Sequence, residues 1–119
     1  MKKQGGVAVK KSIVYNKLVR DKIPQIIEAS GKECTTEVLS QESYIQALDM
    51  KLLEEMEEYQ QSKSLEELAD LLEVMHAVVR AKGYTWEALV RVQEEKREKR
   101  GAFEQKILLK EVTEKETYF

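Results

Sequence analysis

Apolar residues recur along this chain in blocks spaced by threes and fours. Over 41–61 they are Tyr44, Ile45, Leu48, Leu52, Met56 and Tyr59, which share one face of a helix. Leu71, Val74 and Val78 repeat the pattern one block later. Ser40 stands where the first helix needs an N-cap. Ser64 stands where the second does, and Glu67, three residues on, has the spacing of a capping-box partner. The second helix is expected to run to about Lys82 and stop at Gly83. Thr85 then caps a helix from Trp86 to about Arg100, ended by Gly101. Upstream, Leu18, Val19, Ile23, Ile26 and Ile27 fit a helical face closed by Gly31, and Pro24 suits a first turn, so regular helix starts near Ile23. Short connections make consecutive long helices antiparallel. The expected fold class is all-α: an antiparallel helical hairpin inside a bundle core of about four helices. Two short runs, 34–39 and 106–112, read as a small two-strand pairing. Residues 1–11 read as a flexible basic tail before a single domain over 12–119.

The informative residues are the charged ones that break this pattern. Helix rotation is about 100° per residue, so with Glu55 at 0° the apolar residues of its helix fall between about −20° and 100°. Glu55 lies inside that arc and Glu58, at about −60°, beside it, while Glu54 and Glu57 point away. On the next helix, with Glu67 at 0°, Val74, Val78 and Leu71 fall between about −20° and 40°, and Asp70 lies at about −60° between Ala77 and Ala81. The two pairs are also symmetric about the turn. Antiparallel helices bring Glu58 opposite Glu67 and Glu55 opposite Asp70. Carboxylates gathered at a partly buried seam must be protonated, paired with cations, or bound to metal. Mg²⁺, or Mn²⁺ in its place, would satisfy four oxygen donors directly. The plainer reading is that ExxE and ExxD recur on solvated helix faces, that Glu67 is only a cap, and that Lys51, Lys63 or another cation neutralises the group.

Charge and composition narrow the setting. Lys and Arg number 20 against 22 Asp and Glu, so no bulk field points to nucleic acid or a membrane surface. Cys34 is the only cysteine, which makes a reducing compartment the default. No apolar run suits a signal peptide or a membrane span, and the expected location is the cytoplasm. Two basic clusters could face a polyphosphate: Lys17, Arg20 and Lys22, and Lys96, Arg97, Lys99 and Arg100. For the second, solvation and favourable charge at a helix C-terminus weigh more. Trp86, Tyr84, Tyr59 and Phe103 could stack on a base, but packing is the stronger reading for each. His76 lies opposite the carboxylate face, and Cys34 has no neighbours that mark a nucleophile.

Residues 52–75, LLEEMEEYQQSKSLEELADLLEVM, resemble the EExxE…ExxD motif of MazG-like nucleotide pyrophosphohydrolases. The opening YNKLVRDKIPQIIEASGK and the later KREKRGAFEQKILLKEV resemble the ends of a single-domain, phosphoribosyl-ATP pyrophosphohydrolase-like branch of that superfamily. The resemblance implies packed helices assembled as a homodimer or homotetramer. It implies Mg²⁺-dependent hydrolysis of a (deoxy)nucleoside triphosphate to monophosphate and pyrophosphate, the chemistry of nucleotide-pool house-cleaning. Carried over, the metal ligands are Glu55, Glu58, Glu67 and Asp70. Glu54 and Glu58 are the catalytic carboxylates, and Lys17, Arg20, Lys96 and Arg100 the phosphate contacts. The spacer between Glu58 and Glu67 is shorter than the superfamily's usual one. Two other readings stand beside this one: a helical oligomerisation or regulatory module without turnover, and hydrolysis of phosphoribosyl-ATP itself.

Overall fold

A computed structural model describes residues 11–118. Four α-helices follow in order: α1 Ile23–Ala29, α2 Gln41–Ser62, α3 Leu65–Ala81 and α4 Trp86–Arg100. The class is all-α. The expected tail at 1–11 lies, apart from Lys11, outside the described residues. No helix among the described residues is long and apolar enough to cross a membrane.

Local chemistry sets the boundaries. The amides of Ser43, Glu67 and Ala88 donate to the hydroxyls of Ser40, Ser64 and Thr85 at 3.2, 3.3 and 3.1 Å. Each bond satisfies one of the orphan donors of a helix's first turn. α1 starts at Ile23 with Pro24 in its first turn, where a missing N–H costs nothing. Gly83 and Gly101 both sit at φ 84, outside the range a β-carbon tolerates without strain. Between α2 and α3 only Lys63 and Ser64 turn the chain. Lys63 takes a left-handed conformation (φ 57, ψ 20), and its amide donates to the Tyr59 carbonyl at 2.7 Å. The short spacer is thus used up by one helix end, this two-residue turn and one helix start.

α2 and α3 pack antiparallel along their length, whereas α4 touches only α3. Trp86, Leu89 and Val90 of α4 meet Leu72 and Met75 of α3 around a shallow cavity. α1 packs against none of the other helices among the described residues. The core is correspondingly small. Leu48 and Val74 are the buried apolar side chains of the described chain. The radius of gyration is 23.2 Å, against about 13–14 Å for a compact chain of this length.

The expected two-strand pairing does not form. Residues 34–39 and 106–112 are irregular, and there is no strand among the described residues. Val38 is fully exposed, and Ile107, Leu108 and Leu109 are exposed by 74% or more. A two-stranded ribbon this short is marginal in water unless a third strand or a helix covers it.

Candidate metal centre

The hairpin brings three carboxylates together. Glu55 from α2 and Glu67 and Asp70 from α3 each place one oxygen within 4.8 Å of the others. Glu55 is buried, while Glu67 and Asp70 are half-buried. Glu58, expected as the fourth ligand, is exposed and stands outside this trio, on its rim. Its charge still bears on both Glu55 and Glu67.

Two oxygens in the trio have no cationic or neutral donor. Glu55 Oε2 and Glu67 Oε2 are shielded from solvent and no N–H or hydroxyl donates to them; the Glu58 carboxylate comes within hydrogen-bond reach of both side chains, a contact that requires a shared proton. The Glu55 side chain is only 8% exposed. A capping box would have spent the Glu67 carboxylate on the Ser64 amide. That amide donates instead to Ser62 Oγ at 3.3 Å, which leaves the Glu67 carboxylate to the seam. An unpartnered buried carboxylate oxygen costs free energy on the order of 1–3 kcal/mol, more when charged.

The electrostatics register that cost. Burial first, then the adjacent charge of Glu58, raises Glu55 above its ordinary value, with Asp70 adding and Lys51 opposing. Burial, then Glu58 and Asp70, raises Glu67 in the same way. Glu54 moves oppositely. Burial would raise it, but hydrogen bonds from Lys17 and Lys51 outweigh that and hold it below its ordinary value. Helical rotation alone put Glu54 outside the apolar arc; the structure draws it half-buried against the edge of the cluster.

Three cations reach the carboxylates. Lys17 Nζ donates to Glu54 at 3.0 Å, and Arg20 Nη2 donates to Asp70 Oδ1 at 2.7 Å. Lys51 Nζ lies 3.3 Å from Glu54 and 3.5 Å from Glu55. Lys63 turns instead to Gln60, at 2.6 Å. Five carboxylates, Glu54, Glu55, Glu58, Glu67 and Asp70, thus face three cations, of which only Lys51 approaches Glu55 and none pairs with Glu67. Lys96 and Arg100 are exposed on α4, which makes no contact with α2, and among the described residues their side chains make no hydrogen bond or ion pair. The spacing of Lys51 from Glu54 and Glu55 was a readable signal for its role. The reach of Arg20 to Asp70, 50 residues away, left no local trace.

Of the other singled-out residues, Trp86 and Tyr59 make ring contacts, whereas the packing expected of Tyr84 and Phe103 does not form because both side chains stay in solvent. His76 and Trp86 stack at 3.6 Å between ring centres, 18° from parallel. Lys63 sits over the Tyr59 ring at 5.5 Å. Cys34 is half-buried, with its thiol 3.9 Å from the Pro24 carbonyl oxygen. Tyr84 and Phe103 are exposed.

The trio fits a hard divalent cation. Its donors are all carboxylate oxygen, two of them shielded and without an N–H or hydroxyl donor. Three oxygens no more than 4.8 Å from one another are close enough to approach a single ion. No protein-family model matches this chain, and no curated protein or solved structure matches it either.

Proposed function

We propose that this chain is a Mg²⁺-dependent nucleoside triphosphate pyrophosphohydrolase of the MazG-like type. The observation that carries the reading is the pair of shielded oxygens on Glu55 and Glu67, beside Asp70, to which no N–H or hydroxyl donates. A divalent ion would hold the raised Glu55 and Glu67 carboxylates in their charged form beside Asp70. Mn²⁺ presents the same charge to the same hard donors.

When bound, the ion would screen phosphate oxygens and make a coordinated water more acidic. Glu55, Glu67 and Asp70 are the holding residues. Glu58, exposed at the rim beside Glu55 and Glu67, is the carboxylate that would accept a proton from a water entering from solvent once an ion draws those two away from it. Glu54 suits that task poorly: two lysines hold it in its charged form and weaken it as a base. Its role in this reading is to fix Lys17 and Lys51 at the site's edge. Arg20 on Asp70 and Lys17 on Glu54, mounted on the segment before α1, and Lys51 beside Glu55 are the cations that a polyphosphate at the trio would meet in this reading. Lys96 and Arg100 would join them only if α4 or a neighbouring chain brings them there. The α2–α3 hairpin carries the chemistry in this reading, with α4 packed on α3 alone.

Purified protein is expected to release pyrophosphate from some (deoxy)nucleoside triphosphate with Mg²⁺, and to stop when the metal is chelated. Asp70→Asn should lower kcat/KM by about a hundredfold or more. Unchanged turnover in Asp70→Asn would remove the site. Phosphoribosyl-ATP belongs in the same substrate panel.

A second reading rests on the ion pairs. Lys17, Arg20 and Lys51 already occupy part of the cluster, as they would in a helical module with no turnover. Absence of both thermal stabilisation by Mg²⁺ or Mn²⁺ and nucleotide hydrolysis would favour it.

A further inference from the structure

We infer that the segment before α1, residues 11–22, is an ionic strap across the α2–α3 seam at the carboxylate site, released when a divalent ion seats alone and closed again over an ion that carries a polyphosphate. It rests on the proposed metal centre and adds the regulation of that site. Lys17 and Arg20 are close in sequence but reach different helices. Lys17 Nζ donates to Glu54 of α2 at 3.0 Å, and Arg20 Nη2 donates to Asp70 of α3 at 2.7 Å. The strap therefore spans the seam at the level where Glu55, Glu67 and Asp70 meet.

Little else holds the strap. Every residue of 11–22 is exposed except Leu18, which is half-buried. Ile13, Val14, Tyr15 and Val19 are 46–78% exposed and bury no apolar face. Among the described residues its backbone makes no hydrogen bond to the hairpin, and α1, which follows it, packs on no other helix. Apolar burial would fix such a segment whatever the ions around it, whereas exposed charge pairs are weak and exchange partners readily. Both acidic partners belong to the site: Asp70 is one of the trio, and Glu54 adjoins Glu55 in the chain.

The site passes through three charge states. In the metal-free protein the carboxylates hold both cations, and Arg20 covers an oxygen of a candidate ligand, Asp70. When Asp70 turns to an ion, Arg20 meets added positive charge where it met a carboxylate, and the attraction that kept the strap on the seam is lost. A polyphosphate on that ion makes the local charge negative again. The Arg20 fork and the Lys17 ammonium then donate to phosphate oxygens, and the strap closes with new partners. Arg20 is thus a competitor for Asp70 in one closed state and a phosphate contact in the other, and the open state lies between them.

Trypsin reads the strap directly, because its specificity pocket must draw the lysine or arginine side chain away from its carboxylate. Early cleavage of the full chain after Lys17 and Arg20 is followed by mass spectrometry at constant ionic strength. Each rate is divided by that after Lys110, which is exposed in the irregular segment following α4. Mg²⁺ should raise both ratios by about two- to fivefold, the shift that an exposed ion pair can hold. A non-hydrolysable triphosphate added with Mg²⁺ should bring them back down. The Tm of the same samples separates the strap from the metal centre beneath it. A Tm that rises with Mg²⁺ while the ratios stay unchanged, or ratios that stay high with the triphosphate, overturns the strap and leaves the metal centre standing. A Tm that Mg²⁺ does not raise removes the metal centre and the strap with it. In the metal-free protein, Glu54→Gln should speed cleavage after Lys17 by a similar factor; an unchanged rate means that the ion pair holds nothing, and also overturns the strap.

Discussion

Two stretches hold the chain's densest charge, and they behave in opposite ways. Residues 54–58, EEMEE, lie in α2, and residues 94–100, EEKREKR, lie in α4. In the first, Glu55 is buried and Glu54 half-buried; in the second, every residue is exposed. Charge density does not separate them, since the second run is the denser. The apolar residues around them do. Leu48, Leu52 and Tyr59 bracket Glu55 on the arc that meets α3, so packing drags the carboxylate inward. In α4 the apolar spacing ends at Val92, and nothing draws Glu94 to Arg100 against another helix. A charge becomes chemically unusual when a neighbouring apolar face forces it out of water.

The largest break in this comparison comes from removing one charge from each stretch. In the metal-free protein, Glu55→Gln should stabilise or leave unchanged the fold, by up to about 1–2 kcal/mol, because it removes a buried charge held by only one lysine. Glu95→Gln should change stability by less than about 0.5 kcal/mol. The first substitution should also abolish any rise in Tm with Mg²⁺, and the second should preserve it. Urea unfolding with and without the metal reads both. Strong destabilisation of the metal-free Glu55→Gln variant would mean that the carboxylate is satisfied by the fold and is not waiting for an ion.

A smaller effect sharpens the same contrast through pH. Glu55 and Glu67 have folded-state values raised above the ordinary 4.5, so the folded chain binds more protons than the unfolded one. Their contribution to stability is therefore fully present below the ordinary carboxylate value and is lost as pH rises through the raised ones. Glu54 is lowered, so its contribution is present above the ordinary value and lost in stronger acid. The metal-free protein should thus gain stability on mild acidification from neutrality and lose it again below about pH 4. Saturating Mg²⁺ should reverse the first limb, because protons then compete with the ion. A Tm that falls monotonically from pH 7 downward without metal would remove the argument from burial.

Much of this was legible in the chain. Ser40, Ser64 and Thr85 announced three helix starts because a hydroxyl at that spacing has one thing to do. Glu55, Glu67 and Asp70 announced themselves by interrupting apolar arcs. Three features were hidden, each for a physical reason. Glu58 and Glu55 look equivalent by spacing, yet α3 covers one and leaves the other at the rim. Residues 34–39 and 106–112 have strand-like composition, but composition cannot say whether a third layer exists to cover them. Arg20 and Asp70 are joined only by the path of the segment before α1, and no local periodicity encodes that path.

Arg20 gives the finest test. Its ion pair with Asp70 is short, at 2.7 Å, but the two side chains are 56% and 42% exposed. Solvent screening limits such a pair to about 0.2–1 kcal/mol, so Arg20→Ala should cost little stability, hardly more than Arg97→Ala on the solvated run of α4. Stability alone therefore cannot distinguish the two arginines. Metal and nucleotide binding can. Arg20 contributes one of three positive charges beside the trio, and it competes electrostatically with any ion there. Arg20→Ala should tighten binding of Mg²⁺ alone and weaken binding of a nucleotide with Mg²⁺, because the polyphosphate then loses a nearby guanidinium. Arg97→Ala should move neither. Titration by calorimetry, first with Mg²⁺ and then with a non-hydrolysable triphosphate, reads the two signs separately. If both affinities fall together, Arg20 is orienting Asp70 for the ion instead of competing with it. If neither changes, the segment before α1 is no part of the site, and its arginine belongs with those of α4.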